Sequence, residues 1–428
     1  RNRSKRRAWG RGSVMMLAAE QMQRLGSRQR SAMSWLAAGL LALSLGSCRR
    51  AQPSAPPIPA VPSESTATVP PLAPFVQRGM SFVHSWESRG HNGYGSEASR
   101  KSLAELRTLG ADWISVMPFG FMSGLDADSI RLLSDRGPGS LFAGAGESDE
   151  RVQKQVADAH AAGLKVLLKP HLWIARGAWC GDIELGPPGT PGSDERWARF
   201  FQSYERYLTH YAQLAQSTGA DLLSVGVELR STTARFPTQW RDLIAKARQH
   251  YHGPLVYSAN WDEVKAVTFW DALDFVGTQF YAPLAEAADS PDAVLQARLG
   301  TQLDELQAVA QKTGRKVLFT EVGYKSIRGT AVQPHLWPEH LPKGTALEVS
   351  TSAQEQAYRV FFQGLAGRDW VAGVYIWKWF SDPDSQEEDA GGFSPRGKAA
   401  AAVLQAAYAG GSSGPRAVPA TPTPAPGR

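Results

Sequence analysis

The sequence predicts a (β/α)8 barrel, a closed parallel sheet wrapped by helices, and three observations carry that expectation. Eight short apolar runs occur at 79–86, 113–119, 165–174, 222–228, 255–260, 275–281, 317–321 and 371–379. Amphipathic helical patterns separate most of them, as crossovers between parallel strands require. A glycine commonly stands where a helical face ends, the usual left-handed C-cap. The runner-up is a doubly wound open sheet, which usually shows a glycine-rich phosphate turn after its first strand. Ser85-Trp86-Glu87-Ser88 is not such a turn. No repeat of fixed period appears beyond the strand–helix alternation.

The 428 residues are 43% hydrophobic and 20% charged, ample for a large core. The net charge of +6 is misleading, because the first fifty residues hold eleven Lys or Arg against one acid, Glu20. The remainder holds 35 basic and 39 acidic residues. No basic surface survives in the body, so a nucleic-acid partner is rejected.

Residues 1–48 read as an N-terminal extension and targeting segment. Arg24, Arg28 and Arg30 precede an apolar stretch over 32–45, too short for a permanent membrane span. It ends Leu45-Gly46-Ser47-Cys48, which resembles a bacterial lipobox with Cys48 as the lipidated residue. An ordinary secretory signal is the alternative, and Met22 or Met33 is expected to be the true start. Either reading exports the body, to the outer membrane or periplasmic face of the cell envelope or into the medium. Cys180, the other cysteine, is then left without an intrachain partner and reads as an unreactive, shielded thiol. Residues 49–75 are rich in Pro, Ser, Thr and Ala and read as a tether; 410–428 read as a disordered Pro-rich tail. A single catalytic domain is expected over 76–409, acting as a monomer.

Within it, Leu103, Leu106 and Leu109 form a helical face that stops at Gly110, and Val152, Val156 and Ala159 one that stops at Gly163. Trp197, Phe200, Phe201, Tyr204, Leu208 and Tyr211 share one face at i, i+3, i+4, i+7 spacing. Leu295, Leu299, Leu303, Leu306 and Val309 stop at Gly314, Tyr358 to Leu365 precede the last strand, and a helix over 396–408 follows it. The segment after the fifth strand is short, with a weak helix expected over 264–273. Long loops over 175–192, after the third strand, and 326–350, after the seventh, are expected to shape a cleft.

Function in a barrel sits at the C-terminal ends of its strands. The fourth run ends on Glu228 and the seventh on Glu321, where an unpaired buried carboxylate would be costly. Other ends carry His84 and Trp86, Lys169 and His171, Asn260 and Trp261, Gln279 and Tyr281, and Trp377 and Trp379. Pairs two residues apart are expected to share one face. Acids, amides and aromatic rings together suit a sugar, whose hydroxyls need polar partners and whose C–H faces stack on rings. Two carboxyls across a barrel mouth can perform glycoside hydrolysis, with retention at ~5–5.5 Å separation and inversion at ~6.5–9.5 Å. Singly, each of these residues has an ordinary structural reading as a loop acid or core aromatic. A metal at His84 and His171 would lack a third ligand, so neither metal nor cofactor is called for.

The body resembles the retaining (β/α)8 glycosidases of clan A, and more closely glycoside hydrolase family 113, whose characterised members act on β-1,4-mannan. The matching stretches are Gly79-Met80-Ser81-Phe82, Leu168-Lys169-Pro170-His171, Val225-Gly226-Val227-Glu228-Leu229, Phe319-Thr320-Glu321-Val322-Gly323-Tyr324 and Ile376-Trp377-Lys378-Trp379. Gly391-Gly392-Phe393-Ser394-Pro395-Arg396-Gly397-Lys398 matches as well. The resemblance implies Glu228 as general acid/base and Glu321 as nucleophile in the hydrolysis of a β-1,4-linked polysaccharide or oligosaccharide of mannan type. Tyr281 is then expected to hold Glu321, and Trp377 to lie under the distorted sugar. Lys169 and His171 would bind hydroxyls, with His84, Trp86, Trp261, Trp337 and Trp379 as further binding residues. The clan's usual Asn before the acid/base is Val227 here, and Asn260 is the substitute expected at the sugar 2-OH. Two alternatives stay open: a non-catalytic glycan-binding lipoprotein, and a clan A glycosidase with another β-glycan substrate.

Overall fold

The computed structural model describes residues 68–74, 76–87, 91–133, 146–336 and 347–409. Cys48, Trp337 and the tail 410–428 lie outside the described residues. Among the described residues there are ten strands: β1 (Gln77–Val83), β2 (Trp113–Val116), β3 (Phe119–Met122), β4 (Lys165–Leu168), β5 (His171–Ile174), β6 (Leu222–Val227), β7 (Leu255–Asn260), β8 (Phe275–Phe280), β9 (Val317–Val322) and β10 (Val371–Phe380). Eight of them close a barrel in the order β1-β10-β9-β8-β7-β6-β4-β2, and the pairings around it are parallel. The fold is therefore the (β/α)8 barrel.

Two expected strands divide. The runs 113–119 and 165–174 each leave the barrel at a proline, Pro118 and Pro170, which offers no N–H to a ladder. Beyond the break, β3 and β5 pair with each other in a separate two-stranded sheet above the barrel. Lys169 thus directly follows a barrel strand while His171 begins the side sheet. The unit after β7 contains only a short 3-10 turn, Trp270–Ala272, in place of the weak helix expected there. The last helix starts at Ala400 rather than 396. A helix not marked by the faces above, Pro237–His250, follows β6 with proline in its first turn and buries Trp240, Leu243, Ile244 and Ala247.

The helices bury their apolar stripes against the barrel's outer wall. In Ser193–Thr218 the stripe includes Trp197, Phe200, Tyr204, Leu208 and Tyr211, and Tyr204 meets Trp240 edge-on. Gly110 and Gly314 cap their helices in the left-handed region, at φ 98° and 66°. Inside the barrel, Trp113, Leu167, Leu222, Val256, Leu318 and Tyr375, from six strands, fill the floor. The folded unit also starts before residue 76. Leu72 is buried and its N–H donates to the Ala407 carbonyl at 2.8 Å. Buried Arg78 gathers the carbonyls of Leu72, Ala73 and Val76 and pairs with Asp112 at 3.3 Å.

Candidate active site

Glu228 is the first residue after β6, and its backbone lies in the left-handed region at φ 53°. A non-glycine residue there costs on the order of 1–3 kcal/mol and persists only where its surroundings hold it. They do. Its N–H donates to the Ser258 carbonyl at 2.9 Å, and the next amide, Leu229, donates to the Tyr257 hydroxyl at 2.7 Å. The buried Cys180 thiol donates to the Val227 carbonyl at 3.4 Å, and burial pushes that thiol well above its ordinary pKa. The Glu228 carboxyl is buried; Oε2 accepts from the Trp179 indole N–H at 2.7 Å, and Oε1 has no protein partner.

Glu321 lies within β9 with its neighbour on β8, Gln279, in register. It is fully buried. Its Oε1 accepts from Lys169 Nζ at 2.5 Å and its Oε2 from the Tyr281 hydroxyl at 2.7 Å. Lys169, also fully buried, donates further to Gln279 Oε1 and the Thr320 carbonyl, each at 3.2 Å. That ammonium is committed to Glu321, so it does not stand free for a hydroxyl.

Burial opposes charge on both acids, but their partners differ in sign. Desolvation, then the neighbouring Glu321, push the Glu228 carboxyl up to about 7, against a weaker opposing pull from Trp179 and Gln279. Burial also raises Glu321, while Lys169, Tyr281 and Lys378 pull it back toward the ionised form. A single proton shared between them therefore belongs on Glu228, and on its Oε1, since Oε2 already accepts from Trp179. The Gln279 amide accepts from Lys169 through Oε1 and eases the Glu228 shift, while its Nε2 remains without a well-formed bond.

The remaining aromatic and polar residues divide. Trp377 joins Met117, Tyr281 and Phe393 in a small apolar cluster, with half-buried Trp261 against it. Trp379 does not share that position. A register shift in the β1–β10 ladder separates the two, and Trp379 packs in the main core beneath the Arg396 guanidinium at 4.2 Å. His84 and Trp86 lie just past β1 with their rings 4.9 Å apart. The Tyr94 N–H donates to His84 Nδ1 at 3.0 Å, and burial with Arg151 holds the imidazole down at about 3, so His84 is neutral with its proton on Nε2. His171 is buried and, beside Lys169, also held neutral. Asn260 spends its amide N–H on Asp262 at 2.9 Å. Lys325 holds the Pro334 and Leu336 carbonyls at 2.9 and 2.5 Å and lies over the Phe393 ring.

Glu228 Oε1, Gln279 Nε2, His84 Nε2, His171 Nε2 and Trp377 Nε1 are all buried without a protein partner. Such atoms cost about 1–3 kcal/mol each when left unpaired. Their concentration on the C-terminal ends of the strands suits a ligand dense in hydroxyls. Trp179, the residue that bonds Glu228, was visible in the sequence only as a loop tryptophan, with no periodicity to mark it.

A (β/α)8 barrel with two buried carboxyls of opposite electrostatic surroundings at its mouth defines an enzyme of the barrel-hydrolase class. The sequence profile of Glycoside Hydrolase Family 113 matches residues 82–398, and the chain belongs to that family. It is a glycoside hydrolase acting on carbohydrate, and the enzyme reading stands over the binding-lipoprotein alternative. Among solved structures it resembles the GH113 β-mannanase AaManA from Alicyclobacillus acidocaldarius in complex with ManMIm. That match has 26% identity and a TM-score of 0.64, covering 78% of this chain and 99% of that one. A complex of a GH113 β-1,4-mannanase matches at 26% identity and TM-score 0.63, covering 78% and 98%. A β-glucuronidase from Ruminococcus gnavus, at 13% identity and TM-score 0.50 over 77% and 49%, shares the fold alone. No curated protein matches the chain.

Proposed function

We propose that this chain hydrolyses β-1,4-linked mannan-type chains with retention, using Glu228 as acid/base and Glu321 as nucleophile. The observation that carries the reading is the opposite environment of the two acids. Glu228 keeps a proton near neutral pH on an oxygen with no protein partner, while Glu321 is held by an ammonium and a phenol. Glu321 attacks the anomeric carbon as Glu228 gives its proton to the departing glycosidic oxygen. The Glu321–sugar ester forms as the glycosidic bond breaks. Glu228, now a carboxylate, takes a proton from water, whose oxygen displaces Glu321 and returns the anomeric configuration. Gln279 accepts from Lys169, the partner of Glu321, and its amide also acts on Glu228, and this shared neighbour supports the short separation of retaining enzymes, ~5–5.5 Å, over ~6.5–9.5 Å. Trp377 and Trp261 supply ring faces, and the unpaired Nε2 atoms of His84 and His171 supply hydroxyl contacts.

The mannan assignment is supported by the two 26%-identical structures, both described as β-mannanases. The test is product analysis of the purified protein on mannan, glucomannan, xylan and β-glucan, alongside Glu228→Ala and Glu321→Ala. Release of manno-oligosaccharides, loss of turnover in Glu321→Ala, and azide rescue of Glu228→Ala on an aryl glycoside are expected. Hydrolysis of xylan or β-glucan without mannan would overturn the substrate; full activity in either variant would overturn the roles.

A further inference from the structure

A third buried carboxyl stands behind the two at the mouth. Glu263, in the turn after β7, is 1% exposed, and the next residue, Val264, belongs to the main core. Among the described residues no ion pair reaches it, and the nearby guanidinium of Arg230 is spent on Asp262 at 3.2 Å and Asp182 at 3.4 Å. An acid buried without a countercharge is tolerated only where its oxygens are needed as acceptors. Glu263 has three donors. Oε1 accepts from the Tyr257 hydroxyl at 2.8 Å and from Thr233 Oγ1 at 2.6 Å, and Oε2 accepts from the Asn260 N–H at 3.0 Å. The Tyr257 hydroxyl in turn accepts the Leu229 N–H, the amide next to Glu228. One carboxyl thus ties together the peptide that follows Glu228, the helical turn Arg230–Thr233 and the turn that carries Trp261.

We propose that Glu263 is a positioning residue, which through Tyr257 holds the peptide after Glu228 and so keeps Glu228 in its left-handed conformation, aimed at the departing oxygen. The inference rests on the acid/base reading of Glu228. A positioning role makes a specific demand: the loss should grow as the leaving group becomes harder to protonate, because only proton donation is impaired. Purely structural damage would lower all substrates alike. The full-length protein, Glu263→Gln, Tyr257→Phe and Glu228→Ala are compared on aryl glycosides whose phenols span a range of acidity, with thermal unfolding of each. Glutamine can still accept from Tyr257 and Thr233, but its amide N–H meets the Asn260 N–H. Glu263→Gln is expected to lose about tenfold or more on the poorest leaving group and little on the best. Tyr257→Phe should show the same slope, and it carries the test if Glu263→Gln does not fold. The proposal is overturned if Glu228→Ala shows a steep dependence on leaving group while the folded variants lose activity uniformly or not at all. A flat response in Glu228→Ala itself would instead overturn the acid/base reading.

Discussion

Glu228 and Glu321 are both buried acids, and what separates their chemistry is the charge beside each. Lys169 lies 2.5 Å from Glu321, whereas Glu228 has neutral donors and a neighbouring carboxyl. The Trp179 N–H stabilises the ionised form of Glu228, so removing it should raise that pKa further above about 7. The proposed acid role requires a protonated Glu228, so the alkaline limb of kcat/KM in Trp179→Phe should move to higher pH, with the acid limb unmoved. A pH–rate profile checks this, and a limb displaced to lower pH would contradict it. Both acids were legible in the sequence because each interrupts an apolar run. Trp179 was not, since its contact joins residues 49 positions apart through a loop without a repeating pattern.

At the level of elements, the two ends of the barrel divide the work. The C-terminal ends carry the unpaired atoms of Glu228, Gln279, His84, His171 and Trp377, and at the N-terminal end Arg78 fastens the chain that precedes β1. Arg78→Ala would leave Asp112 partly buried without its countercharge and free three carbonyls. A stability loss of about 3–5 kcal/mol is expected, read by denaturant unfolding, with kcat of the folded fraction unchanged. The eight barrel strands and their sequence order were legible because a buried strand is a continuous apolar run. The splitting of two strands was not, although Pro118 and Pro170 were in view. An apolar run gives no sign of which sheet its far half will join. Likewise Trp377 and Trp379, two residues apart, part company through a register shift that alternation alone does not encode.

For the molecule as a whole, the buried acids set a conflict between stability and activity. Glu228 and Glu263 both sit near 7 in the fold against an ordinary 4.5. The folded state therefore holds their protons more tightly than the unfolded chain. Their contribution is fully present below about pH 4.5 and is lost as pH rises through about 7. Glu228→Gln should accordingly be more stable to unfolding than the parent at pH 8, by on the order of 3 kcal/mol at most, with the gap closing toward pH 5. A gap that widened toward acid would contradict the burial account. The central claim is that Glu321 forms the covalent bond to the sugar, and it is tested most directly by trapping that bond. After inactivation with a 2-deoxy-2-fluoro-mannoside and proteolysis, mass spectrometry should find one sugar per chain, on Glu321. A label on Glu228 or elsewhere, or products released with inverted configuration, would contradict it.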